Sequence, residues 1–333
     1  MWPARVMRQK IEKTSRNPAV SVIIPVFNAS SFISESIQSV LGQTFRDLEV
    51  IVVDDGSTDN TPDEIRAFGS SVRYLRTKNG GPAHARNLGI AAAQGRLIAF
   101  QDADDRWLPK KLERQLEYLE KHPEDAVVFS DIATFDEHGF LARSAKEVYG
   151  TIPSGDLFGE LLMKRFIAMS SVIVRAECLE EVGGFDAVLK GCEDYNLFLR
   201  LAGRFKFGLV DEVLVHKRIH PGNFSNDLRQ MLEDEITNIR KISALFADRK
   251  IPEERLIAEM RLRFGRYHFA NGDHSAARRC LLQGARRVSL SRRDWLVLLF
   301  LMFPRCVRET LLAARRSRKK PGKPASIVLG SLS

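Results

Sequence analysis

The sequence predicts an α/β fold, in which a mainly parallel sheet is flanked by helices, followed by an all-helical C-terminal part. Short apolar runs alternate with amphipathic stretches from residue 20 to about residue 120, as in consecutive strand–helix units. Two of these apolar runs lead directly into carboxylates, at residues 54–55 and 102–105. From about residue 226 onward the apolar spacing becomes purely helical.

The first half of the sheet is predicted from four apolar runs, at residues 20–26, 48–53, 72–75 and 97–100. Pro25 has no N–H group, so the first strand must end or meet a sheet edge there. Helices are expected to begin at Ser30 or Ser31, at Thr61 with a capping box to Glu64, at Pro82 and at Pro109. Gly42 should end the first of these helices.

The second half is less regular. Strands are expected at residues 126–132 and 169–174, an irregular excursion at 136–155, and one or two edge strands at 205–215. Glu193 and Asp194 open a predicted helix at 194–202, and acids in a first turn can serve only to stabilise the helix dipole. Two further helices are expected at 255–270 and 274–288.

The carboxylates at residues 102–105 are the first indication of chemistry. In open α/β sheets, ligands bind at the carboxyl ends of the strands. If the chain remains extended here, Asp102 and Asp104 point to the same side. One or two carboxylates, with phosphates supplying further oxygens, typically hold Mg²⁺ or Mn²⁺. An acidic loop that caps the next helix is the alternative.

The net charge of +9 is concentrated at the two ends of the chain. Residues 286–323 carry nine Arg and three Lys against two acids, and residues 1–17 carry five basic residues against Glu12. The body between them is therefore mildly acidic, which argues against a nucleic-acid-binding protein. Basic ends of this kind are suited to an anionic surface such as a membrane.

The four cysteines lie far apart without a Cys-x-x-Cys pair, so neither a disulfide framework nor a zinc site is expected. No apolar segment of a signal peptide precedes Ala19, and no run of eighteen apolar residues is present. We therefore expect a cytoplasmic protein, with the inner face of the cell membrane as the place where its basic end would bind.

Seven segments, taken together and in order, resemble family 2 glycosyltransferases, which are nucleotide-diphospho-sugar transferases with the GT-A fold. The match extends over roughly residues 19–225. The segments are VIIPVFN at 22–28, VDDGSTD at 53–59, GGPAHARN at 80–87, DADD at 102–105, GGFD at 183–186, ED at 193–194 and RIH at 218–220. Each segment is a weak signal alone, whereas the ordered set is specific.

The resemblance implies a role for each matching residue. Asp54 or Asp55 is expected to contact the nucleotide base, Arg86 to lie near the nucleotide, and Asp102 to bind the ribose. Asp104, with His220, is expected to hold the divalent metal, and Asp194 to be the catalytic base with Glu193 beside it. The remaining residues expected to bind the nucleotide sugar are Pro25, Phe27, Asn28 and Ala103. His220 could equally be an ordinary loop histidine before Pro221.

The implied activity is an inverting, metal-dependent transfer of a single sugar to a glycan or lipid-linked acceptor, with a UDP-sugar favoured as donor. Cell-surface polysaccharide synthesis is the expected setting. A nucleotidyltransferase is the first alternative, although residues 27–31 (FNASS) lack the glycine-rich, basic loop of that class. A non-catalytic, membrane-associated scaffold of the same fold is the second alternative.

The domain organisation follows from these patterns. We expect a basic mobile arm at 1–18, the GT-A domain at 19–225, a helical extension at 226–290 and an amphipathic basic helix with a tail at 291–333. The nine apolar residues 295–303 are too short to span a bilayer, and Pro304 should kink the helix. This helix could lie on an anionic membrane through residues 291–320, or pack on the protein body.

Overall fold

A computed structural model of the chain describes residues 17–223 and 228–303. The chain divides into two compact units, of which the first ends at Pro221 and the second begins at Gly222. The first contains a nine-stranded sheet flanked by helices, and the second is helical in the part described. This architecture confirms the predicted fold class. The predicted N-terminal arm lies almost wholly outside the described residues.

Four parallel strands form the first half of the sheet, in the order β3-β2-β1-β4. They are β1 (Val20–Val26), β2 (Leu48–Asp54), β3 (Arg73–Arg76) and β4 (Leu97–Phe100). The helices between them are α1 (Ile33–Leu41), α2 (Thr61–Arg66) and α3 (Pro82–Ala92). All four strands were predicted to within about one residue, because each is a short apolar run bounded by polar residues.

The second half of the sheet mixes directions, and its strands are β5 (Arg106–Trp107), β6 (Asp125–Asp136), β7 (Gly139–Ala142), β8 (Ile173–Arg175) and β9 (Lys206–Arg218). The order continues from β4 as β8-β6-β9-β5, and β8 is antiparallel to both its neighbours. The helices are α4 (Lys111–Lys121), α5 (Lys146–Tyr149), α6 (Phe158–Met163), α7 (Ala176–Val182) and α8 (Glu193–Ala202).

Strand β9 differs from its prediction as an edge strand. It lies between β6 and the two-residue β5, and pairs in parallel with β6 over most of its length. Residues 169–174 also differ, since Met169–Ser171 form a 3₁₀ turn ahead of β8. The predicted excursion at 136–155 is partly ordered as β7 and α5.

Several predicted helix caps are not formed. Helix α1 begins at Ile33 with Phe32 at the N-cap, and neither α1 nor α2 has a side-chain cap. Glu64 instead accepts a hydrogen bond from Ser34 at 2.7 Å, so tertiary contact replaces the capping box. Helix α4 begins at Lys111, and the carbonyl of Pro109 accepts a hydrogen bond from the backbone of Thr44 at 2.9 Å.

The central strand β1 positions the site. Beyond Ile23, β1 pairs with β2 alone because β4 has ended, so Pro25 lies at an edge position on that side. Helix α3 packs closely on β1 at Gly89, where an added Cβ would lie 2.4 Å from the side chain of Ile23. The strand is buried along its whole length, so the polar residues that follow Val26 start from a point that is fixed relative to the core.

The second unit contains α9 (Leu228–Leu245), α10 (Glu253–Ala270), α11 (His274–Gly284) and α12 (Arg292–Met302). The two middle helices confirm the predicted pair, and Asp273 caps α11 by accepting from the backbone of Ala276. Among the described residues, no helix combines the length and the hydropathy that a bilayer crossing requires. The predicted kink at Pro304 lies outside the described residues.

Candidate functional site

The candidate site lies where β1, β2 and β4 end. Residues 101–105 leave β4 in a turn, with the backbone N–H of Asp105 donating to the carbonyl of Asp102 at 3.2 Å. The chain is therefore not extended here, and the expected same-side arrangement of Asp102 and Asp104 does not apply. The two carboxylates instead have different partners, Arg86 for Asp102 and His220 for Asp104.

Asp104 contacts His220, as the resemblance implies. Its Oδ2 lies 2.9 Å from His220 Nε2, and each side chain is 22% exposed. The backbone carbonyl of Asp104 accepts from Arg218 Nε at 3.0 Å, which fixes the turn against β9. A carboxylate and an imidazole, adjacent and open to solvent, are a donor set that suits Mn²⁺ or Mg²⁺ once substrate phosphates add oxygens.

Asp105 lies beneath this pair and is sealed from solvent. Its carboxylate accepts from the hydroxyl of Ser170 at 2.6 Å and from the backbone N–H of Arg218 at 2.9 Å. Burial raises the pKa of the Asp105 carboxyl well above its usual range, and neighbouring Asp104 and Asp102 add to the effect. Asp105 therefore holds three segments of the chain together beneath the open carboxylates.

Arg86 connects the two acidic parts of the site. Its guanidinium donates to Asp102 at 2.8 Å and to Glu193 at 2.6 Å, and the residue is only 6% exposed. The two carboxylates raise the pKa of Arg86 above its ordinary value although burial opposes this. The charge of Arg86 is therefore shared by two protein carboxylates, and its expected location near the nucleotide stays a prediction.

The predicted base lies at the start of α8. Asp194 is half-buried, and its Oδ1 accepts from the backbone of Tyr195 at 2.6 Å. Glu193 is turned inward to Arg86, and burial raises its pKa to about 7 while Arg86 opposes the rise. Of the two acids, Asp194 is thus the more accessible.

Asp54 and Asp55 both bind the protein itself. Asp54 is fully buried and accepts from the backbone of Ser57 and from the hydroxyl of Tyr74, each at 2.7 Å. The two oxygens of Asp55 accept from the backbone N–H groups of Gly80 and Gly81 at 2.9 and 2.7 Å. A carboxylate oxygen keeps a second lone pair, so Asp55, 3% exposed, retains acceptor capacity for a base.

The other predicted nucleotide residues surround the same strand ends. Pro25 is buried in β1, whereas Phe27 is 47% exposed at its end. Asn28 adopts a left-handed backbone, with φ of 49°, and its side chain accepts from the backbone of Thr58 at 2.8 Å. Ala103 is half-buried at the tip of the acidic turn. Phe27 thus presents an exposed aromatic ring at the end of β1, next in sequence to Val26, whose carbonyl accepts from the backbone of Asp55.

A second group of potential metal ligands lies elsewhere. Among the described residues, His122, Glu124 and Asp125 bring three ligand atoms within 4.8 Å of one another. Asp125 begins β6, which is parallel to β4 through their shared antiparallel neighbour β8, so this group lies at the opposite edge of the sheet. It has no relation to the candidate site.

The sequence of the chain matches known proteins over the same region. Residues 21–171 match the profile described as Glycosyl transferase family 2. The Escherichia coli protein UDP-Glc:alpha-D-GlcNAc-diphosphoundecaprenol beta-1,3-glucosyltransferase WfaP is 31% identical over 237 residues, which cover 70% of this chain and 89% of WfaP. The chain belongs to glycosyltransferase family 2. Some family members are longer, and the match covers only 34% of an uncharacterized glycosyltransferase from Rickettsia felis, which is 31% identical over 61% of this chain.

Solved structures share the fold of this family 2 glycosyltransferase. S. aureus TarS 1–349 in complex with UDP-GlcNAc superposes with a TM-score of 0.59 at 18% identity, covering 91% of this chain and 93% of that one. The mannosyltransferase PcManGT from Pyrobaculum calidifontis, in complex with GDP-Man and Mn²⁺, gives a TM-score of 0.53 at 19% identity, covering 91% and 81%. The GT-A fold expected from the sequence is thereby confirmed.

Three residues of this glycosyltransferase's site escaped the sequence analysis. Ser170 accepts from the backbone of Asp102 at 3.0 Å and donates to Asp105, yet it lies in an apolar stretch without a signal of its own. The role of Asp105 was hidden by the two carboxylates before it. Lys217 is half-buried at the end of β9 and interacts electrostatically with Asp105. Among sequence patterns, only the alternation of side-chain direction along β9 could have assigned Lys217 to the face of the strand that is turned toward the site.

Proposed function

We propose that this family 2 glycosyltransferase transfers a single sugar, with inversion, from a nucleoside diphosphate donor to a hydroxyl of a glycan or lipid-linked acceptor. The observation that carries the proposal is the presence of two accessible carboxylates next to a buried arginine bridge. Asp104 contacts His220, Asp194 lies in the first turn of α8, and Arg86 joins Asp102, two residues before Asp104, to Glu193, directly before Asp194. This arrangement offers one acidic group for the leaving diphosphate and another for the acceptor.

The chemistry assigns a task to each group. Asp194 would accept the proton of the acceptor hydroxyl as its oxygen attacks the anomeric carbon. The bond from that carbon to the diphosphate breaks at the same time, so a single displacement inverts the anomeric centre. Asp104 and His220 would hold Mn²⁺ or Mg²⁺, which when bound offsets the negative charge collecting on the diphosphate. Asp102 would bind the ribose of the donor.

A UDP-sugar is the favoured donor, because the names of WfaP and of the TarS complex contain UDP-Glc and UDP-GlcNAc. We expect UDP with Mn²⁺ to raise the melting temperature of the parent chain more than GDP or dTDP, since a ligand of the folded state adds stability. Asp104→Ala should lose the Mn²⁺-dependent part of this shift. The chosen measurement is thermal unfolding with each nucleotide, with and without Mn²⁺.

A matched control is Asp211→Ala, which removes an exposed carboxylate of β9 that pairs with Lys146. It should keep the full UDP–Mn²⁺ shift. A parent chain that no nucleotide stabilises would contradict the proposed function, and an unchanged shift in Asp104→Ala would contradict the metal assignment. A nucleotidyltransferase finds no support in the family comparison, and a non-catalytic scaffold would not hydrolyse the donor.

The acceptor is proposed to be lipid-linked, as the name of WfaP indicates for that protein, in polysaccharide synthesis. Helix α12 supports a membrane contact. One face packs within the second unit through Val297, Leu298 and Leu301, and the other face is exposed. The exposed apolar residues, 50–74% accessible, are Trp295, Leu296, Leu299, Met302 and Phe303. Both alternatives for this helix thus find support, on opposite faces of it.

The charge around this face favours an anionic lipid surface. Arg292 and Arg293 are exposed in the first turn of α12, and Arg286 and Arg287 are exposed just before it. Each basic residue near an anionic surface adds about 1 kcal/mol of attraction, and apolar burial adds to this. We expect the full chain to float with vesicles that contain phosphatidylglycerol at low salt, and less with neutral phosphatidylcholine vesicles.

The test compares the parent with Trp295→Ser/Leu299→Ser, in which the exposed face loses two apolar side chains. This variant should bind the vesicles about 100-fold more weakly or worse, since each side chain buried in the interface contributes about 1.5–3 kcal/mol. Val188→Ser, which removes an equally exposed apolar residue from the first unit, should float like the parent. A parent that remains unbound at low salt would leave α12 as a packing helix only.

A further inference from the structure

Lys217 is held firmly against the acidic turn. It lies opposite Thr134 in the parallel pairing of β9 with β6. The next residue, Arg218, donates its backbone N–H to Asp105 at 2.9 Å and its Nε to the carbonyl of Asp104 at 3.0 Å. The backbone at the end of β9 is therefore fixed relative to the site, and Lys217 can reach it without any change of the fold.

Strand alternation separates Lys217 from its basic neighbours. His216 packs edge-on to Phe140, with ring centroids 5.1 Å apart, and the guanidinium of Arg218 lies over Phe135 at 4.5 Å. Residues 215 and 217 point to the opposite face of β9. On that face the ammonium group of Lys217 is within electrostatic range of four site carboxylates, Asp105, Asp102, Asp194 and Asp104.

These carboxylates each have another protein donor. Asp105 is bound by Ser170 and the backbone of Arg218, Asp102 by Arg86, Asp104 by His220, and Asp194 by the backbone of Tyr195. Within the described part of the chain, the ammonium group of Lys217 donates no hydrogen bond and lies in no ion pair. The surrounding carboxylates raise the pKa of Lys217 although burial opposes this, so the group is cationic at neutral pH.

A cation that is close to several carboxylates but bonded to none has its three N–H donors available for another anion. The anion that enters this site under the proposed function is the diphosphate of the donor. The site also favours such a cation, because the accessible carboxylates of Asp104 and Asp194 would repel a diphosphate. The charge of Arg86 is already shared by Asp102 and Glu193.

We propose that Lys217 is a further catalytic residue, which donates a hydrogen bond to the donor diphosphate and stabilises the negative charge on it as it leaves. The inference rests on the proposed function. During transfer, the bond between the anomeric carbon and the diphosphate oxygen breaks, and its electron pair remains on that oxygen. The acceptor oxygen forms the new bond to the carbon, and its proton passes to Asp194. Lys217 keeps its own proton throughout.

The experiment measures binding of UDP and of uridine by calorimetry, with Mn²⁺, in the full chain and in Lys217→Met. We expect UDP to bind about 10-fold or more weakly to the variant, as for the loss of one charge-assisted hydrogen bond, and uridine to bind unchanged. Lys217→Arg should recover part of the UDP affinity. Lys206→Met, at the exposed other end of β9, is the matched control and should bind UDP like the parent.

The competing explanation is that Lys217 only offsets the charge of the carboxylates. In that case Lys217→Met would bind Mn²⁺ more tightly than the parent and bind UDP equally well or better, which would overturn the inference. Parent-like UDP affinity in both Lys217 variants would do the same. If Lys217→Met does not fold, Lys217→Arg provides the comparison. Arg would fully replace a residue that only offsets charge, so parent-like UDP affinity in Lys217→Arg would then overturn the inference, and weakened affinity would support it. A parent that binds no UDP, GDP or dTDP would fail the proposed function itself, and this inference with it.

Discussion

Asp194→Asn is expected to bind donor like the parent and to lose sugar transfer by about 100-fold or more. Asn keeps the size of Asp and can still accept the hydrogen bond from the backbone of Tyr195, so α8 should begin in the same place. Its amide cannot take a proton from the acceptor, which removes the general base. The measurement is the rate of nucleoside diphosphate release with acceptor present, together with the dissociation constant of the donor.

The two quantities separate the possible outcomes. A fall in kcat with an unchanged donor dissociation constant is the result expected when a group acts only in the transition state. Transfer at nearly the parent rate would move the base to Glu193 or to another group. Asp186→Asn, which changes a half-buried carboxylate in the turn before α8, is a control and should retain transfer.

The largest effect on stability is expected from Arg86→Met. Removing one partner of a buried ion pair typically costs about 3–5 kcal/mol, because the remaining charge is buried without compensation. Glu193, whose side chain is 8% exposed, would be left in that condition, and the partly exposed Asp102 would also lose its partner. Chemical denaturation should show this loss, whereas Arg66→Met, which breaks an exposed pair with Asp63, should cost less than about 1 kcal/mol.

The pH dependence of the free energy of unfolding tests the pairing of Arg86 with Glu193. In the folded parent the pKa of Glu193 is raised to about 7 from its ordinary value of 4.5, so the unfolded chain releases this proton first. The associated stability is present below pH 4.5 and is lost as the pH rises through about 7. Without Arg86 the pKa of Glu193 should rise further, which extends the loss to higher pH. Adding Glu193→Gln to Arg86→Met should restore part of the stability at pH 8, and no recovery would contradict the assigned pairing.

The sequence was sufficient for the parts of the fold that depend on local patterns. Strands β1, β2 and β4 were predictable because burial on both faces makes each a nearly continuous apolar run, whereas β3 is partly exposed and was predicted from its short run between polar residues. The start of α8 was predictable because two acids precede its apolar face. The cap at Thr61 was not, because Thr61 and Glu64 instead bind the backbone of Ala29 and the hydroxyl of Ser34. Tertiary contacts thus replaced a local preference.

The site was predictable as a set of residues and less so as a set of contacts. The matching segments named Asp104, His220 and Asp194, since each keeps its place in a known order. No sequence pattern shows that Arg86 is enclosed by Asp102 and Glu193, because the guanidinium meets one carboxylate 16 residues away and another 107 residues away. The turn at residues 102–105 likewise depends on Ser170 and Arg218, which the acidic motif does not contain.

The return of β9 to the acidic turn has a consequence for how the protein is made. The contacts of Asp104 and Asp105 with Arg218 and His220 join positions that are 113–116 residues apart. Contacts of such high sequence separation form late, because loop closure must precede them. A ribosome that has exposed only β1 to β4 has therefore released the acidic turn without the contacts that hold Asp104 and Asp105 in place. Those contacts form when the strand ending at Arg218 docks.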